Sequence, residues 1–172
     1  DDPTVPVAFG EPGELLIRGP QVFTGYWERP DETAQVILPD GWIRTGDVVV
    51  MDGDGFFTVV DRIKDLIITG GFNVYPSEVE EVLRDAPGVA DAAVVGLPET
   101  DGGERVVAAV LPEPGVTIDP EAVRETCRSR LTAYKVPRQV IVVDDLPLSM
   151  IGKVRRRELR DALIDKAERH SS

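Results

Sequence analysis

The 172-residue sequence holds one cysteine, Cys127, and one histidine, His170. A single thiol excludes a disulfide framework and a cysteine-built zinc site. A single imidazole, placed beside the last residues, excludes a histidine metal cluster and gives no support to a histidine-based triad. No apolar run approaches the roughly 20 residues that a membrane helix requires. Positive charge is scarce: 19 Lys and Arg stand against 31 Asp and Glu, a formal net charge of -12. That balance argues against nucleic acid as the main partner, because backbone phosphates are repelled. It leaves room for a local basic site facing a phosphorylated ligand. The opening "DDPTVPVAFGEPGE" shows no signal-peptide pattern, so the expected compartment is the cytoplasm.

What is present reads as a globular chain, 42% hydrophobic and 29% charged. The first sixty residues carry β signals. "GELLIRG" is a short strand between glycines, and "GWIRTGDVVVMD" and "GFFTVVDR" are strands joined by the turn "DGDG". A helix is expected here only at "DETAQVI". After Arg62 strands and helices alternate. "LIIT" reads as a buried strand, and "YPSEVEEVLRDAPG" as a helix with Val79, Val82 and Leu83 on one face. Ser77 and Glu80 have the spacing of a capping box, and Pro87-Gly88 stops the helix. "VADAAVVGLP", "ERVVAAVLP" and "RQVIVVDDLP" read as strands. "DPEAVRETCRSRLTA" begins with an Asp cap and Pro at the first helical position. "KVRRRELRDALIDKAERH" reads as a last helix with Leu159 and Leu163 on one face. The expected class is α+β. A β-subdomain spans residues 1–62, and a small α/β domain, with helices against a short sheet, spans 63–172.

Four short stretches could carry chemistry. In "TGD", residues 45–47, an Asp at a strand end can accept from two neighbouring hydroxyls, as on a ribose, or can cap its own turn. "DRIKD", residues 61–65, is four-fifths charged between two β segments and reads as an exposed connection. Gly70-Gly71 permits either close backbone approach to a ligand or a tight turn. "PLSMIGK" places a mobile cation, Lys153, after a glycine; it is no phosphate loop, because Val154 follows the lysine where Ser or Thr is required. The arginines after it read most simply as the polar face of a helix, balanced by Glu158, Asp161 and Asp165.

Their order is more informative than any one of them. "TGD", "DRIKD", the Gly-Gly strand, "LTAYKVP" and "LPLSMIGKVRRREL", in this sequence, resemble the adenylate-forming enzymes. These comprise acyl-CoA synthetases, firefly luciferase and the adenylation domains of peptide synthetases. The wording is most similar to bacterial long-chain fatty-acid–CoA ligases. The resemblance implies two half-reactions. A carboxylate attacks the α-phosphate of Mg-ATP to give acyl-AMP; a mobile C-terminal lid then turns, and the thiol of coenzyme A takes the acyl group. It implies that Asp47 and Arg62 hold the ribose and that Lys64 is the hinge. Gly70 and Gly71 then border the pantetheine tunnel, and Lys153 is the catalytic cation of adenylation.

The resemblance also implies ATP, Mg2+ and coenzyme A as cofactors, with the Mg2+ ligands and the family's phosphate loop upstream of residue 1 and no metal ligand in this chain. The piece alone is expected to be inactive. ATP or AMP, a fatty acid and coenzyme A are the expected partners. Peripheral contact of the full-length enzyme with the inner face of a membrane is compatible with this reading. Two alternatives stay open: a non-catalytic nucleotide- or partner-binding module, and a ligase that hands its acyl group to a carrier protein.

Overall fold

The computed structural model describes residues 5–100 and 102–170, with side chains through residue 166. The side chain of His170 lies outside that description. The chain divides into two compact units, residues 1–64 and 65–172.

The first unit is built on a three-stranded antiparallel sheet in the order β1-β2-β3. Its strands are β1 (Pro12–Ile17), β2 (Ile43–Met51) and β3 (Phe57–Arg62), with one short helix, α1 (Pro30–Val36), between β1 and β2. Asp52 closes the β2–β3 turn: its carboxylate accepts from the backbone N–H groups of Asp54 and Phe56, both at 2.9 Å. This is the local bonding that makes Asp a turn residue. A 3-10 turn, Ile63–Asp65, follows β3.

The second unit has two small sheets. One is the hairpin of β4 (Ile67–Thr69) and β5 (Phe72–Val74). The other has the order β6-β7-β8, from Val89–Pro98, Glu104–Pro112 and Gln139–Val142. β6 and β7 are antiparallel; β7 and β8 are parallel. Helices α2 (Pro76–Arg84), α3 (Pro120–Arg130) and α4 (Arg156–His170) complete it. The period-two alternation of side chains sorts this sheet into two faces. Ala92, Val94, Val106, Ala108 and Val110 pack with Val79, Leu83, Val123 and Cys127 of α2 and α3. Ala93, Val95, Val107 and Ala109 pack with Leu159 and Leu163 of α4. The class is therefore α+β, and the last helix uses the leucine face that its sequence shows.

The start of α2 differs from the expected capping box. Tyr75 is the N-cap residue and makes no side-chain cap bond, while Pro76 takes the first helical position. Ser77 thus sits one residue inside the helix. The carboxylate of Glu80 turns to β6, where it accepts from Val94 N–H at 2.8 Å. By contrast the Asp119 cap of α3 is formed, accepting from Glu121 N–H at 3.0 Å. β4 is also less buried than its composition suggests: Ile67 is enclosed, but Ile68 is half exposed. Three alternating residues cannot turn the same face inward. No helix of the described residues is long and apolar enough to cross a membrane.

Candidate functional site

In the first unit, Asp47 on β2 and Arg62 on β3 are register partners across the ladder. Arg62 Nε lies 3.0 Å from the Asp47 carboxylate, and both side chains reach solvent. The Asp47 carboxylate is thus directed across the sheet rather than into a cap of its own turn. The residues before it hold the strand in place. Thr45 donates its hydroxyl to Leu15 O at 2.9 Å and receives Asp47 N–H at 3.1 Å. Glu14 accepts from Gly46 N–H at 3.2 Å and from both Nε and Nη2 of Arg44. That pairing raises the Arg44 guanidinium further above its ordinary range, the hydrogen bond to Glu14 being the larger cause. Gly46 takes φ +72°, a value that glycine alone adopts without strain. A partly exposed carboxylate beside a guanidinium, on a braced strand, can accept two vicinal hydroxyls.

Of "DRIKD", Arg62, Ile63 and Lys64 are exposed, but Asp61 is buried and accepts from Arg62 N–H at 2.8 Å. The expected exposed connection therefore starts one residue later than the charge pattern suggests. Lys64 is the last residue of the first unit.

In the second unit, Gly70 and Gly71 form the two-residue turn between β4 and β5, closed by the Thr69–Phe72 pair. Their φ values are +56° and +82°. Two successive positive φ angles are the geometry of a type I′ hairpin turn, which gives both glycines a local reason. Within this unit, a Cβ on Gly71 would meet nothing within 4 Å.

Lys153 is exposed on a loop pinched at its base by the Leu148–Val154 bridge. Ser149 ties the loop: its N–H donates to Lys153 O at 2.7 Å, and its hydroxyl accepts from Lys153 N–H at 3.1 Å. Gly152, at φ +75°, makes the reversal. Met150 and Ile151 stand at the tip in full contact with solvent. The ammonium is presented on a short, internally bonded finger.

The arginines that follow are not all a solvated helix face. Arg155 pairs with Glu158, as expected for a surface helix turn. Arg156 is only 17% exposed and forks onto Glu80, whose side chain is 5% exposed. It also donates to Val94 O at 3.3 Å. Arg160 pairs with Glu104 of β7 at 2.9 Å. The sequence reading gave Glu80 to a capping box and did not single out Glu104. Glu80 had a visible signal: it lies on the stripe of Pro76, Val79 and Leu83, at a position that faces the core. A buried carboxylate needs a paired cation and hydrogen bonds, and here it has both. Among the described residues, no three His, Cys, Asp or Glu side chains converge as a metal site.

A family model described as the AMP-binding enzyme C-terminal domain matches residues 78–153. The long-chain-fatty-acid–CoA ligase of Escherichia coli O157:H7 is 48% identical over 169 residues, 98% of this chain and 30% of that protein. The feruloyl-CoA synthase of Amycolatopsis sp is 49% identical over 155 residues, 90% of this chain and 31% of that protein. Among solved structures, ATP-bound MatB from Rhodopseudomonas palustris matches with a TM-score of 0.85 and 42% identity, covering 91% of this chain and 31% of that one. The chain spans about 30% of the length of the relatives it matches. Residue order, fold and near-complete alignment agree: the chain belongs to the adenylate-forming acyl-CoA ligase family and carries its C-terminal domain.

Proposed function

We propose that the whole enzyme activates a carboxylic acid, of the long-chain fatty class, with ATP and transfers it to coenzyme A. The supporting observation is the 48% identity of this chain, over 98% of its length, to a long-chain-fatty-acid–CoA ligase. In the first step an acid oxygen bonds to the α-phosphorus, the bond to the β-phosphate breaks, and pyrophosphate leaves. In the second the coenzyme A thiol loses its proton, sulfur bonds to the acyl carbon, and AMP leaves.

Asp47 and Arg62 take the ribose. Lys64 is the hinge, an exposed residue in the short 3-10 turn Ile63–Asp65, whose φ and ψ change as the lid turns. Lys153 brings its cation to the carboxylate and α-phosphate, offsetting negative charge as two anions meet. Its finger, tied by Ser149, fixes the lysine backbone while leaving the side chain exposed. Gly70 and Gly71 leave a side-chain-free turn where the thiol arm passes. Mg2+ supplies charge neutralisation on the phosphates in this chemistry; we assign it no ligand on this chain. We place the enzyme in the cytoplasm, with its ATP and coenzyme A, and leave peripheral membrane contact to the rest of the protein.

The test uses the full-length enzyme. Lys153→Ala should lower pyrophosphate release by about 10²-fold, the scale of losing one preorganised charge partner. Thioester formation from pre-formed acyl-AMP should stay within about threefold. Equal loss in both steps would remove Lys153 from the adenylation role.

A further inference from the structure

Glu104 opens β7, next to the loop from β6, and its two carboxylate oxygens are used separately. Oε1 receives Arg160 of α4 at 2.9 Å. Oε2 receives the backbone N–H of Ile68 at 3.3 Å. Ile68 lies in β4, two residues before Gly70, in a hairpin of only three pairs. A two-stranded hairpin is marginal by itself, and an edge N–H needs a partner. Glu104 supplies that partner and connects β4, β7 and α4. Space for the carboxylate exists because Gly96 of β6 has no side chain. A Cβ there would stand 2.5 Å from Glu104 Oε2. Gly96 is fully enclosed and its φ lies outside the left-handed region, so this gap, not backbone conformation, gives the residue its local reason.

We propose that Glu104 is a positioning residue for thioester formation: it holds the base of the β4–β5 hairpin so that the Gly70–Gly71 turn keeps its place along the thiol path. This rests on the ligase reading above, in which that turn serves the second half-reaction. Glu104 touches neither substrate; it acts through Ile68 and the turn. A second variant reaches the same carboxylate from elsewhere. Gly96→Ala displaces the end of the flexible Glu104 side chain without substituting Glu104, Ile68 or Arg160.

The experiment measures both half-reactions in the full-length enzyme, with hexadecanoate and ATP for pyrophosphate release and with hexadecanoyl-AMP and coenzyme A for the second step. Glu104→Ala and Gly96→Ala should each slow the second step about tenfold, as expected for a slightly misplaced reacting partner. Pyrophosphate release should stay within about twofold in both. Glu104→Gln, which keeps an acceptor for Ile68 N–H, should recover most of the thioester rate. A merely structural role would lower both steps together and in proportion to the fall in Tm. That result, or no loss in either variant, overturns the proposal. If Glu104→Ala does not fold, Gly96→Ala alone decides. A wild-type enzyme that makes acyl-AMP but no thioester overturns the ligase reading and this inference with it. Normal wild-type thioester synthesis with unselective variants overturns the inference alone.

Discussion

The two units differ in how much of themselves they bury. Among the described residues up to 64, only Val48, Val49 and Asp61 are fully enclosed. Phe9, Phe56, Phe57 and Val59 lie largely open, and Trp27 is 87% exposed. From residue 65 onward, one sheet is covered on both faces by apolar side chains from three helices. A sheet that leaves such large apolar side chains open lacks a covering layer. A sheet with both faces covered is a domain. The second unit therefore has a closed core of its own, while the first leaves much of its apolar surface open.

The strongest way to break this comparison is to separate the units. Residues 65–172 alone should show a cooperative thermal transition by circular dichroism, and residues 1–64 alone should show none. A domain of about sixty residues is marginal even when well packed, and this unit encloses only Val48, Val49 and Asp61 among its described residues. A sharp transition in 1–64 would remove the contrast.

A smaller effect sharpens it. Leu83→Ala, at a fully enclosed site, should lower stability in urea by roughly 3 kcal/mol. Phe57→Ala, at a half-open site, should change the same chain by no more than about 0.5 kcal/mol. In the full-length enzyme the Phe57 cost should grow if further chain covers these open side chains. An unchanged Phe57 cost there would mean that the side chain stays open to solvent.

The smallest effect concerns Cys127, between α3 and the sheet. Burial pushes its thiol above the ordinary range. The folded protein thus keeps the thiol neutral, while the unfolded chain ionises near pH ~8.5. The stability from this group is complete below that value and falls as pH rises past it. The urea midpoint should drop slightly between pH 8 and 10, and iodoacetamide should label native protein slowly at pH 9. Fast labelling would contradict the burial.

The same contrast sets how much was legible in advance. The alternation on β6 and β7 and the Leu159–Leu163 face of α4 could be read, because period two and period 3.6 are local properties. The order of the motifs that contain Asp47, Arg62, Lys64, Gly70, Gly71 and Lys153 was enough to indicate the family. The capping box at Ser77–Glu80 was not formed. The same residue types had a better long-range use, since a carboxylate on the core face of a helix cannot remain unpaired.

By itself the sequence determined the class, the order of elements and the turn chemistry. It also set which lysine follows a glycine at the base of a helix. Tertiary structure alone decided what the charged residues do. Arg156 meets Glu80 across 76 residues, and Ile68 meets Glu104 across 36. Such pairs depend on how strands register and on which helix covers which face. Charge spacing along the chain therefore showed a polar helix surface, where the folded unit has one arginine buried on a carboxylate and another paired with the glutamate that accepts from Ile68 N–H.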